Sequence, residues 1–250
     1  MLSKVQNKKG RTTEKRKKSI LAQLREIMPT SDWFVAGSFA QPYTVFSDID
    51  IYFTSEEAYN TTKEFFSTHT AEKTSSCAGF FEEYATFASS AYMVDNIMWS
   101  PKKVNETFAL QLVRRQFGNP EQLIADVDLN VCKQYLLPDG THYADPMAIL
   151  NPFGLANKGK NFKGTTPRRF LKYLNKYNVS TGTFEKLVKK FITQTISNTA
   201  CVEDYYHPDK PLQPMNYVMF KTFTRELGRN KELKKFLLDQ TLEHAPELLI

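Results

Sequence analysis

Two aspartates, Asp48 and Asp50, stand in the run Asp48-Ile49-Asp50-Ile51-Tyr52-Phe53, where acids and apolar residues alternate. The alternation predicts a strand, and side chains two apart on a strand project from one face. Both carboxylates therefore point the same way, with Ile49 and Ile51 buried behind them. Two like charges held this close need a cation, and oxygen donors suit a hard one, Mg²⁺ or Mn²⁺. Mg²⁺ normally brings one or two protein carboxylates together with substrate phosphates. Just upstream, Trp33 to Ala36 reads as a short apolar strand and Gly37-Ser38 as a tight turn. That turn offers a backbone able to approach a phosphate closely, free N–H groups and a hydroxyl, ahead of a helix start. Together these residues predict a site for a nucleoside triphosphate.

Gly37-Ser38, then nine residues, then Asp48-Ile49-Asp50-Ile51 is similar to the signature of the polymerase β type nucleotidyltransferase superfamily. That superfamily includes poly(A) polymerases, CCA-adding enzymes and antibiotic or protein nucleotidyltransferases. The likeness extends over residues 30 to 178 and lies closest to the catalytic head of RNA nucleotidyltransferases. Asp128-Leu129-Asn130-Val131-Cys132, followed by Asp139-Gly140 and Asp145-Pro146, resembles a CCA-adding enzyme pattern and puts Asp128 on the family's acid. The resemblance implies a third metal carboxylate, Asp128 first and Asp126 second. Departures are present: Ala125, Asp126 and Val127 replace two arginines and their approach, and Gln111 stands where some relatives carry an acid. Glu203-Asp204-Tyr205-Tyr206-His207 begins like the family's templating motif but lacks its arginine.

A second set of residues faces the triphosphate in this reading. Thr166 as cap and Pro167 at the first helical position open a helix on which Arg169, Lys172 and Lys176 share a face. It resembles the family helix that binds the incoming triphosphate; Arg169 and Lys172 match two of its basic positions and Asn175 departs from the third. A basic stripe opposite a carboxylate pair is what holding a metal-bound triphosphate requires.

The elements that must position these groups follow from periodicity. A helix is expected from Thr12 to Met28, with Ile20, Leu21, Leu24 and Ile27 at helical spacing and Pro29 closing it. Further expectations are a helix over Glu56 to Thr68, strands between Gly79 and Met98, and a strand over Phe108 to Val113. Asn119 and Pro120 start a short helix. Asn151 to Thr166, rich in Gly, Asn and Lys, reads as a flexible loop and the domain boundary. Apolar stripes beyond it predict a helical remainder.

The expected fold class is α/β (α+β): a small mixed β-sheet nucleotidyltransferase core followed by an α-helical domain. Its divisions are a basic disordered arm over residues 1–11, a catalytic domain over 12–150, and a basic linker with a helical nucleotide- or RNA-binding domain over 151–250.

With 41% hydrophobic and 24% charged residues the chain has an ordinary globular composition, and no apolar run reaches the roughly 20 residues of a membrane span. Its three cysteines are scattered, which suggests neither disulfides nor zinc and predicts a reducing, cytoplasmic setting. The basic N-terminus has no apolar core and so predicts no secretory signal.

The net charge of +6 is unevenly spread: residues 1–18 hold eight Lys or Arg against one Glu, and residues 151–190 hold ten against one. Such clusters attract nucleic-acid backbones, so RNA is the expected partner. The reading as a whole is transfer of a nucleoside monophosphate from an NTP to an RNA 3′ hydroxyl, tRNA-like or other. Asp48, Asp50 and Asp128 would hold two Mg²⁺ ions about 3.5 to 4 Å apart, and Gly37, Ser38, Arg169 and Lys172 would hold the triphosphate. The rival expectations are transfer to a protein or small-molecule hydroxyl, and an inactive nucleotide- or RNA-binding member of the fold.

Overall fold

The computed structural model describes residues 8–42, 46, 48–71, 79–83, 94–101, 107–114, 116–203 and 211–250. The chain forms two compact units: residues up to Asp126 with Cys132–Ile149, and Val127–Val131 with Leu150–Ile250.

In the first unit, helix α1 (Lys8–Ile27) leads into β1 (Trp33–Ala36), a one-turn helix α2 (Gly37–Ala40) and β2 (Asp48–Phe53). Helix α3 (Glu56–Ala71) follows, then β3 (Gly79–Glu83), β4 (Val94–Pro101), β5 (Phe108–Val113) and α4 (Pro120–Ala125). Strands β6 (Gln134–Leu136) and β7 (His142–Ala144) and helix α5 (Pro146–Leu150) complete it. The strands form one mixed sheet in the order β3-β4-β5-β2-β1-β6-β7. β2 and β5 are parallel, which requires a crossover, and α3 supplies its helix; the other described pairs are antiparallel.

Each face of the sheet is closed differently. Ile20, Leu24 and Ile27 of α1 and Ala58, Tyr59 and Phe66 of α3 pack with Trp33, Val35, Ile49, Ile51, Phe53, Leu110 and Leu112 into one continuous core. Inside it the Tyr59 hydroxyl donates to the Asp95 carboxylate, and burial together with Asp95 pushes the tyrosine pKa well up, so it stays a neutral donor. Lys63 lies 3.4 Å from the same carboxylate, which completes a satisfied polar node. On the opposite face, Phe34 stacks on Tyr52 at 5.4 Å and meets Tyr135 edge-on, covered by Leu123 and Ile124 of α4. With apolar neighbours on both sides, all of β1 is buried.

The second unit holds α6 (Thr166–Lys176), α7 (Thr181–Thr195), the short pair β8 (Cys201–Val202) and β9 (Gln213–Pro214), α8 (Met215–Glu226) and α9 (Lys231–His244). Phe170, Phe191 and Phe223 stack at its centre, with successive ring centroids 4.2 Å and 5.5 Å apart. Ser180 and Asn230 cap α7 and α9 through the backbone N–H groups of Thr183 and Leu233.

Strands β1, β2 and β5 take the expected bounds, and the mixed sheet with its helical companion fits the expected α+β class. Two expectations are corrected. Helix α1 begins at Lys8 rather than Thr12, because the Lys- and Arg-rich stretch is made mostly of good helix formers; residues 1–7 of the expected disordered arm lie outside the described residues. Asn151 to Thr166 is folded, not a flexible loop: Pro152, Gly154, Ala156 and Phe162 are buried, and Leu129 bridges Leu155. The two units divide between residues 149 and 150, with residues 127–131 grouped in the second.

Candidate active site

The alternation of β2 is complete: Asp48, Asp50 and Tyr52 are half-buried on one face, and Ile49, Ile51 and Phe53 are fully buried on the other. The two carboxylates therefore share a face, as the spacing requires. Ala36, the last residue of β1, pairs with Asp50, and the chain then turns at Gly37 with φ +67°. A Cβ built on Gly37 would collide with Oδ2 of Asp50 and lie 2.9 Å from its Cγ. The Asp50 carboxylate is thus laid directly against the Gly37 backbone.

Ser38 follows, nearly buried, with its hydroxyl donating towards Oδ1 of Asp48 at 3.5 Å, the long limit of a hydrogen bond. Strand and turn grip each other at two successive points: Gly37 against Asp50 and Ser38 against Asp48. Helix α2 is a single turn, so the backbone of the turn, rather than a long helix dipole, is what this side offers a ligand.

Across the parallel pairing, Ala109 lies beside Asp48 and Gln111 beside Asp50. Register partners in a sheet share a face, so the neighbour of Asp50 is an amide and β5 adds no acid here. Among the described residues no group of three or more His, Cys, Asp or Glu is placed to hold a metal ion. Two carboxylates with a hydroxyl beside them remain a donor set that fits Mg²⁺, whose other ligands are ordinarily water and substrate phosphate.

Asp128 and Arg169, assigned by the sequence to metal and triphosphate, are found together in the second unit. Asp128 is 2% exposed; the Arg169 guanidinium reaches its Oδ1 at 3.0 Å and the Thr166 hydroxyl donates to Oδ2 at 2.8 Å. Thr166 in turn accepts the backbone N–H of Lys163 at 2.8 Å. Helix α6 starts one residue earlier than expected, and the Thr166 hydroxyl bonds the acid instead of capping the helix. A negative side chain at this end is also favoured by the helix dipole. The backbone carbonyl of Asp128 accepts from Ala156 at 2.9 Å, which holds the segment at both its main chain and its side chain.

Lys172 stays exposed one turn along α6. Asp126, the second candidate for the third acid, is exposed at the C-terminal end of α4. Asn119 caps that helix as expected, accepting the Glu121 N–H at 2.8 Å. Glu203 lies 3.6 Å from Lys163, while the rest of its motif, residues 204–207, is outside the described residues. The contact of Gly37 with Asp50 has no sequence signal beyond the glycine itself.

No known protein family matches this chain, and no curated protein does. Among solved structures it is similar to JHP933 from Helicobacter pylori, with 12% identity over 97% of this chain and 92% of that one, at a TM-score of 0.33. A likeness of that degree leaves function to be argued from the site alone.

Proposed function

We propose that this protein is a metal-dependent nucleotidyltransferase that moves a nucleoside monophosphate from an NTP to an RNA 3′ hydroxyl and releases pyrophosphate. The observation that carries the reading is the Asp48 and Asp50 pair, laid on one strand face against the backbone of Gly37 and the hydroxyl of Ser38. Two carboxylates on one face beside a glycine turn and a hydroxyl is the combination such chemistry uses. RNA as acceptor is supported by the cationic excess of residues 1–18 and 151–190.

In this mechanism Asp48 and Asp50 are metal ligands and not a general acid and base. Mg²⁺ held there would polarise the attacking hydroxyl and stabilise the leaving pyrophosphate oxygen. Ile49, Ile51 and Phe53 anchor β2 from behind, which fixes the direction of both carboxylates. The Gly37–Ser38 turn, closed on one side by the Asp50 carboxylate, would offer the triphosphate its backbone N–H groups and the Ser38 hydroxyl. Because Asp128 is engaged by Arg169 and Thr166, we assign ligation to Asp48 and Asp50 alone and give Asp128 and Arg169 a structural part.

A second reading, a nucleotide-binding fold without transfer, is favoured by Gln111 beside Asp50. One experiment separates them: the protein, Mg²⁺, each labelled NTP in turn and a mixed small-RNA pool. Label is expected at RNA 3′ ends with the intact chain and none with Asp48→Ala. Nucleotide bound but never transferred would favour the second reading, label on protein would favour a protein acceptor, and full transfer by Asp48→Ala would sink the site.

A further inference from the structure

On the sheet face that bears the two carboxylates, β2 also carries an aromatic side chain. Tyr52 stands two residues beyond Asp50 on the same face, about 7 Å along the strand. Phe34 stacks against one side of its ring, with centroids 5.4 Å apart and the planes 16° from parallel. Towards β5 its register neighbour is Val113, which is 6% exposed. Tyr52 itself remains partly open.

Tyr52 belongs to an apolar cluster separate from the one that α1 and α3 close. Phe34, Ala36 and Tyr135 are its buried members, while Tyr52 and the α4 side chains Leu123 and Ile124 pack against them and stay partly exposed. Ala36 is also the register partner of Asp50, so the cluster runs up to the carboxylates without a break. The result is an apolar ledge, open at Tyr52 and α4, beside the proposed metal ligands.

An aromatic ring held between an aromatic and an aliphatic neighbour suits a flat, neutral partner that can stack. A triphosphate whose phosphates reach a cation on Asp48 and Asp50 carries its base one sugar further on, and the step from Asp50 to Tyr52 is of that order. Glu121, exposed in the first turn of α4 and close enough to Tyr135 to act on its ionisation, does not oppose a neutral ring. Phosphate and base thus have adjacent places on one strand.

We propose that this ledge seats the base of the nucleoside triphosphate, stacked on Tyr52 with Leu123 and Ile124 at its edge. The inference rests on the nucleotidyl-transfer reading, because a cation on Asp48 and Asp50 is what brings a base here. Stacking uses the π face that every base has, so the ledge ranks bases by ring area. Purines are held above pyrimidines, and ATP is separated little from GTP.

The test is isothermal titration of the full chain, at fixed excess Mg²⁺, with ATP, UTP and inorganic tripolyphosphate, which has phosphates and no base. ATP is expected to bind tighter than UTP, and UTP tighter than tripolyphosphate. Tyr52→Leu should weaken ATP by about tenfold and leave tripolyphosphate unchanged, Tyr52→Phe should keep ATP affinity, and Asp48→Ala should weaken both ligands. Circular dichroism confirms that each variant is folded. A second measurement needs no variant: the fluorescence of 2-aminopurine riboside triphosphate should be quenched on binding, as a base stacked on an aromatic ring is. Equal affinity for ATP and tripolyphosphate, absence of quenching, or a folded Tyr52→Leu that keeps ATP affinity or loses both ligands alike overturns the ledge and leaves the carboxylate site standing. A wild-type chain that binds neither ATP nor tripolyphosphate overturns the nucleotide reading and the ledge with it.

Discussion

At Gly37 two constraints meet that no other residue satisfies. Its φ of +67° disfavours a side chain, and the space a Cβ would take is filled by the Asp50 carboxylate. Gly37→Ala must either twist the turn or push Asp50 aside. The expected result is a loss of about 1–3 kcal/mol in urea unfolding together with a fall in Mg²⁺-dependent transfer, since the displaced group is a proposed ligand. Wild-type stability and rate in that variant would mean that the close approach is not required. A second residue-scale consequence concerns Asp128. Removing Arg169 leaves a buried carboxylate with Thr166 as its one remaining partner among the described residues, so Arg169→Ala should cost about 3 kcal/mol. The double variant Asp128→Leu, Arg169→Met, which removes both charges, should recover most of that loss. Recovery of stability in the double variant, read by denaturant midpoint, identifies a structural pair; no loss in the single variant would return Arg169 to the role of a triphosphate ligand.

Among the elements, the β6–β7 hairpin carries a titratable group that reports on its packing against α1. His142 keeps contact with solvent, yet reduced hydration, reinforced by Lys17 and opposed by Glu14 and a bond to the Ala40 backbone, holds its pKa below the ordinary 6.5. A lowered folded-state value means that the unfolded chain takes up its proton first as pH falls. The contribution of neutral His142 is therefore complete above about 6.5 and is lost as the pH drops through that value towards the folded-state one. Urea midpoints measured from about pH 8 down to about pH 5.5 should decline, and His142→Gln should flatten the decline. An identical slope in the variant would show that the hairpin does not withhold His142 from protonation.

On the scale of the whole molecule, charge distribution says more than charge total. The cations of residues 1–18 fall largely on α1, which begins at Lys8. If RNA is the acceptor, its affinity should fall steeply with salt. Removing residues 1–11, which carry Lys4, Lys8, Lys9 and Arg11, should reduce the slope of log affinity against log salt by about 0.7 for each RNA phosphate that the shortened chain no longer neutralises. Fluorescence anisotropy with a short single-stranded RNA over a salt series measures it. An unchanged slope would clear that segment of any part in RNA binding. Among the described residues no helix is long and apolar enough to cross a membrane, which agrees with the scattered, amphipathic placement of apolar residues.

The sequence by itself determined what local periodicity can encode. Alternation over Asp48 to Phe53 fixed the strand, its buried face and the common direction of two carboxylates, and spacing in α1 fixed which side of the helix is buried. Such patterns are legible because a strand repeats every two residues and a helix every 3.6, whatever lies elsewhere in the chain. Tertiary structure decided which residues meet across long separations. It set Gln111 beside Asp50 through a crossover, drew residues 127–131 into the second unit, and turned two expected ligands, Asp128 and Arg169, into each other's partners. The Asn151 to Thr166 stretch shows the same limit, since its Gly, Asn and Lys content resembles a loop while its few apolar residues, Phe162 among them, are enough to bury it. Composition reports the average polarity of a segment, whereas burial depends on which side chains find a surface to cover, and that surface is built by residues far away in the chain.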